Sequence, residues 1–145
     1  MALVTMVANP SLLEKQVVEF LQRMTEQKKD FTLAMLLPSE AALPDKWNLV
    51  LSAPWIDRAG LRAVIPTITS SLQERLSKAN ARKLERISVL PTTDPLVSAI
   101  TSFHIPLGEV SRIQYLPQVE DATVLVAELP ATSRLHHVQH THTRA

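Results

Sequence analysis

Five apolar runs of seven or eight residues each stop at a proline. They are Phe31 to Leu37 before Pro38, Trp47 to Ala53 before Pro54, Leu84 to Leu90 before Pro91, Val110 to Leu116 before Pro117, and Ala122 to Leu129 before Pro130. Proline has no backbone N–H to give a ladder and pushes the residue before it into extended geometry. Short apolar runs ended in this way are strands, so the chain is constrained to a sheet of five. Both sides of the first run can be buried, with Phe31, Leu33, Met35 and Leu37 on one and Thr32, Ala34 and Leu36 on the other, which puts it inside the sheet.

The segments between the runs have helical spacing. Asn9 with Pro10 offers one helix start, and Ser11 with Glu14 a capping box one step later. Leu13, Val17, Phe20, Leu21 and Met24 then share a helix face, which ends near Lys28 and Lys29. Asp57 is placed to cap the next helix. Leu61, Val64, Ile65, Ile68, Leu72 and Leu76 keep their phase across Pro66. That continuity favours one helix bent at the proline over two helices with Ser71 and Glu74 capping the second. Asp94 and Pro95 start a short helix carrying Leu96, Val97, Ala99 and Ile100.

The predicted order is α-β-β-α-β-α-β-β. The class is α+β (α/β-like), with a single-layer mixed five-stranded sheet and helices packed on it. Strands one and two, and strands four and five, form antiparallel hairpins. The two strand–helix–strand passages imply parallel pairing with right-handed crossovers. In element order, apart from the extra short helix, the chain resembles profilin-like domains such as the roadblock proteins; no residue motif carries the likeness.

Residues 1–130 read as one globular domain. Residues 131–145 read as a disordered, His-rich tail, with Leu135 and Val138 its only large apolar side chains. Its His136, His137, His140 and His142 are metal-ligand types without fixed geometry, so no functional metal site is expected. Met1 to Val7 is apolar and has no partner in this scheme. It is expected to add to a sheet edge of a second copy or to cover the chain's own helices. The last hairpin offers Val124 and Val126 at an edge guarded by Arg112 and Glu128.

Composition removes several classes of function. The chain has no cysteine, which excludes disulfides, thiolate catalysis and zinc–thiolate sites. Its glycines are Gly60 and Gly108 alone, too few for a glycine-rich phosphate cradle, so a Rossmann or P-loop enzyme is excluded. Net charge is +1, and no global field steers nucleic acid or an anionic membrane toward it. No apolar run approaches the ~20 residues of a spanning helix. The start lacks the positive region of a signal peptide. The expected location is the cytoplasm, with no membrane association.

Chemistry has one natural place. The loops after the second and third strands lie beyond the carboxyl ends of neighbouring parallel strands, where open α/β sheets bind ligands. The first loop brings Trp55, Asp57 and Arg58; the second brings Thr92, Thr93 and Asp94. Two carboxylates can hold Mg²⁺ and an arginine can clamp a phosphate. Helix capping by the two aspartates and packing of the indole account for the same residue types, and that structural reading is the stronger. A basic stretch, Arg75, Lys78, Arg82, Lys83 and Arg86, interrupted by Glu85, fits a solvated helix end better than a nucleic-acid surface, because aromatic side chains are few. His104 is the one histidine of the domain and reads as structural.

The expected function is a non-catalytic protein-interaction module that self-associates as a homodimer or binds another protein, without a cofactor. The alternatives are a metal-dependent phosphoester enzyme built on the two loops, with Asp57, Arg58 and Asp94 catalytic and Trp55, Thr92 and Thr93 binding, and a weak phosphate or nucleic-acid binder.

Overall fold

The structure, a computed structural model, describes residues 2–39, 45–117, 119 and 121–128. The elements in chain order are β1 (Leu3–Met6), α1 (Leu12–Glu26), β2 (Leu33–Pro38), β3 (Trp47–Ser52), α2 (Pro54–Ala59), α3 (Ile65–Arg75), α4 (Lys78–Ala81), β4 (Leu84–Val89), α5 (Pro95–Thr101), β5 (Ser111–Gln114) and β6 (Ala122–Ala127). The strands form one six-stranded mixed sheet in the order β1-β5-β6-β2-β3-β4. The α+β class and all five expected strands are present. The five-stranded count is corrected to six.

The added strand is β1. It pairs antiparallel with β5 of the same chain, Val4 opposite Ile113 and Thr5 opposite Arg112. The apolar N-terminal segment therefore joins its own sheet instead of covering helices. The Val7 N–H extends the ladder to the Val110 carbonyl at 2.8 Å. Val124 and Val126 are not at an edge. β6 lies in the middle of the sheet between β5 and β2, and both residues are buried. A bulge separates their partners Met35 and Ala34, and it turns Leu125 and Val126 toward the same face.

The expected bent helix is two helices. α2 starts at Pro54, with Ala53 rather than Asp57 at its N-cap, and ends at Gly60. Gly60 adopts φ 101°, a conformation that favours glycine, and its N–H donates to the Ile56 carbonyl at 2.9 Å. α3 then starts with Pro66 in its first turn, where a missing N–H removes no helical bond. Of the in-phase stripe, Val64 at the N-cap and Ile68 and Leu72 of α3 are buried, while Leu61 and Leu76 pack on the same core partly buried. Ser71 lies inside that helix and caps nothing; Ser77 caps the short α4 by accepting from the Asn80 N–H.

α1 follows its sequence signals closely. The Ser11 hydroxyl accepts from the Glu14 N–H at 3.2 Å, and the Glu14 carboxylate accepts from the Ser11 N–H at 2.9 Å. At the other end Lys28 takes a left-handed φ of 62°. Its N–H and that of Lys29 bond back to the Thr25 and Met24 carbonyls, closing the helix in the reversal usually made by glycine. A left-handed residue also ends β5: Tyr115, at φ 67°, stops the strand before Pro117 is reached.

Both faces of the sheet are covered. On one, Leu13, Val17, Phe20, Leu21 and Met24 of α1 and Ile68 and Leu72 of α3 pack on Ala34, Leu36, Leu49 and Leu51. On the other, Val97 and Ile100 of α5 pack on Leu33, Met35, Val50, Ile113 and Val124. Each fully buried large apolar side chain contributes roughly 1.5–3 kcal/mol. Only the first crossover is parallel, joining β3 to β4. β2 runs against β3, β6 against β2 and β5 against β6, so β5 runs opposite to β4. The second crossover therefore carries the chain to the far side of the sheet without a parallel pair.

Candidate functional site

Parallel pairing of β3 and β4 brings the two predicted loops together at the carboxyl ends of these strands. The Leu90 N–H donates to the Leu51 carbonyl at 2.9 Å, so the strands stay in register up to the loops. Asp57, in the first turn of α2, then reaches across to Thr92. Its two carboxylate oxygens each lie 3.3 Å from the Thr92 nitrogen, and one accepts the Thr92 hydroxyl at 2.5 Å. Asp57 is thus a tether between loops and not the helix cap expected of it. Asp94 is a cap as expected: its Oδ1 accepts the Leu96 N–H at 2.9 Å at the start of α5.

Trp55 is committed to packing. Its indole N–H donates to the Asp30 carbonyl at 3.0 Å, and its ring meets Phe31 edge-on at 5.5 Å. The Lys29 ammonium lies 5.6 Å from the ring centre, in cation–π range. These contacts tie α2 to the connection between α1 and β2. Arg58 and Thr93 are exposed. The structure therefore joins Asp57 with Thr92, while Trp55 and Asp94 have separate partners. Among the described residues no group of three or more His, Asp or Glu side chains gathers to hold a metal ion.

The basic stretch is interleaved with acid. Lys83 pairs with Asp45 at 3.3 Å, and Glu85 accepts the Ser39 hydroxyl. Lys46 donates to the Arg82 carbonyl at 2.6 Å, closing the β3 start onto the end of α4. Arg82 and Arg86 point into solvent from a surface of mixed sign. His104 is an exposed turn residue at φ 54°, and its N–H returns to the Thr101 carbonyl at 3.0 Å. An open depression of about 360 Å³ at the β5–β6 turn is lined, among the described residues, by Tyr115, Leu116, Val119 and Asp121. The tail, residues 131–145, lies outside the described residues, as do its histidines.

Among the described residues the most exposed apolar side chains cluster at the opposite side of the sheet from the two loops. All four residues of β1 are exposed, with Leu3 at 50%, Val4 at 41% and Met6 at 63%; Leu12 and Tyr115 are exposed as well. Both faces of this edge strand are therefore apolar, and among the described residues no strand pairs with its outer side. The signal in the sequence is the charge-free apolar segment before Asn9. Its strand partners lie 105 to 111 residues away, beyond the reach of local patterns. In comparisons with known proteins, no family model, curated protein or solved structure matches the chain.

Proposed function

We propose that the protein is a non-catalytic interaction module that self-associates. The observation that carries this is the edge at β1, a strand whose outer side no described strand pairs with and which exposes Leu3, Val4 and Met6. Such an edge is a template for a further strand, whose main chain supplies affinity and whose side chains supply fit. The hydrogen bonds at the two loops support the non-catalytic side of the proposal. The Asp57 carboxylate is occupied by Thr92 and that of Asp94 by the start of α5, so each aspartate has a structural task. Light scattering of the full chain over a micromolar concentration series tests it. A mass rising from one chain to two is expected; one chain throughout refutes self-association.

A further inference from the structure

We propose that two copies pair β1 against β1, antiparallel about a two-fold axis centred on Thr5, with Val4 of one copy opposite Met6 of the other. The pairing deepens the self-association proposed above and rests on it.

The register follows from backbone parity. Val7 bonds to Val110 across the β1–β5 ladder. In an antiparallel ladder hydrogen-bonded pairs recur at every second residue. Thr5 and Leu3 therefore also turn their backbone groups toward β5, opposite Arg112 and Gln114. The N–H and C=O groups of Val4 and Met6 turn outward. A second copy has to bond at those positions. Setting Val4 against Met6 matches outward groups with outward groups at both. Setting Val4 against Val4 leaves Met6 facing Ala2, and setting Met6 against Met6 leaves Val4 facing Ala8; both alanines lie outside the strand.

The side chains fit the same register. Val4 and Met6 are on the sheet face of Ile113, so each apolar side chain meets the other across the junction. Thr5 meets Thr5 on the opposite face, as a non-hydrogen-bonded pair in which side chains come closest, and threonine pairs there are favourable. Ala2 to Asn9 carry no charge, so the strand is its own complement without like-charge repulsion. Addition of β1 to the β4 edge of another copy would be heterologous and would give a filament, or a ring where the rotation closes. The β4 edge opposes it with the exposed charges of Glu85 and Arg86 and with a register shift at its start. The assembly is therefore a closed dimer with one continuous sheet.

Paired substitutions test the register in the full chain by sedimentation velocity, with circular dichroism confirming the fold. Val4→Lys/Met6→Lys sets lysine against lysine across the axis and is expected to give monomer at concentrations where the wild type is dimeric. Val4→Lys/Met6→Glu sets lysine against glutamate and is expected to restore the dimer. A Lys/Lys variant that dimerises like the wild type overturns β1 pairing while leaving self-association through another surface. A Lys/Glu variant as monomeric as Lys/Lys overturns the register. A wild type that grows beyond two copies overturns the closed two-fold, and a wild type that stays monomeric overturns self-association itself.

Discussion

The two edges of the sheet are built from opposite materials. β4 has six residues, carries Glu85 and Arg86 exposed, and starts with a register shift against β3. Leu84, Ile87 and Val89 pack on the α1–α3 core. Asp57 ties down the loop that follows it, and Lys46 the turn that precedes it. β1 has four residues, no charge and no buried side chain, and is held by its ladder to β5. Charge and a bulge are the usual protections of an edge against unwanted strands. At β1 only shortness protects, and shortness limits affinity without preventing pairing. The difference teaches where this molecule is closed and where it is open: one edge is guarded by charge and tied down by its neighbours, and the other, among the described residues, is uncovered.

The comparison breaks most readily through stability. Leu51→Ala, at a fully buried residue of β3, the strand that carries β4, is expected to cost about 2–5 kcal/mol in denaturant unfolding. Leu3→Ala on β1, half exposed, is expected to stay within about 0.5 kcal/mol when measured on the monomer. Equal costs would mean that the β1 edge is as integral to the fold as the β4 side. The loops behind β4 come next. Asp94→Ala removes a cap and is expected to cost about 0.5–2 kcal/mol. Asp57→Ala cuts the tether to Thr92 at an exposed site, and about 1 kcal/mol is expected. In a double-mutant cycle Thr92→Val should add little once Asp57 is gone; full additivity would show that the two side chains act independently, and loss of a measurable activity at unchanged stability would move this pair from architecture to chemistry. The smallest effect belongs to Lys83→Ala, beside the β4 edge. Its pair with Asp45 is largely exposed, so the change should be under about 0.5 kcal/mol and fade with added salt.

Local features were legible and long-range ones were not. The capping box of Ser11 and Glu14, the cap at Asp94, the strand identity of Leu84–Val89 and the two hairpins all follow from signals a few residues long. Pro66 misled because an in-phase apolar stripe is compatible with one kinked helix or with a new helix that starts there. Gly60, left-handed and just ahead, decides for the second. Asp57 misled because Asp serves equally as a cap and as an acceptor for a distant N–H. In the candidate site, residue types and loop proximity were visible, while the bond from Asp57 to Thr92 depended on how two strands align.

By itself the sequence determined the class of the fold, an inner strand within Phe31–Leu37 that the structure places at Leu33–Pro38, and the absence of thiol and glycine-rich chemistry, because these rest on residue type and period. Only the tertiary structure decided that β1 closes onto β5, that β6 lies inside, and that Val4 and Met6 turn their backbone groups outward. Those outcomes depend on which strands find each other across the length of the chain. The strand pattern says which residues share a face, and the order of the sheet says which face or edge is left uncovered.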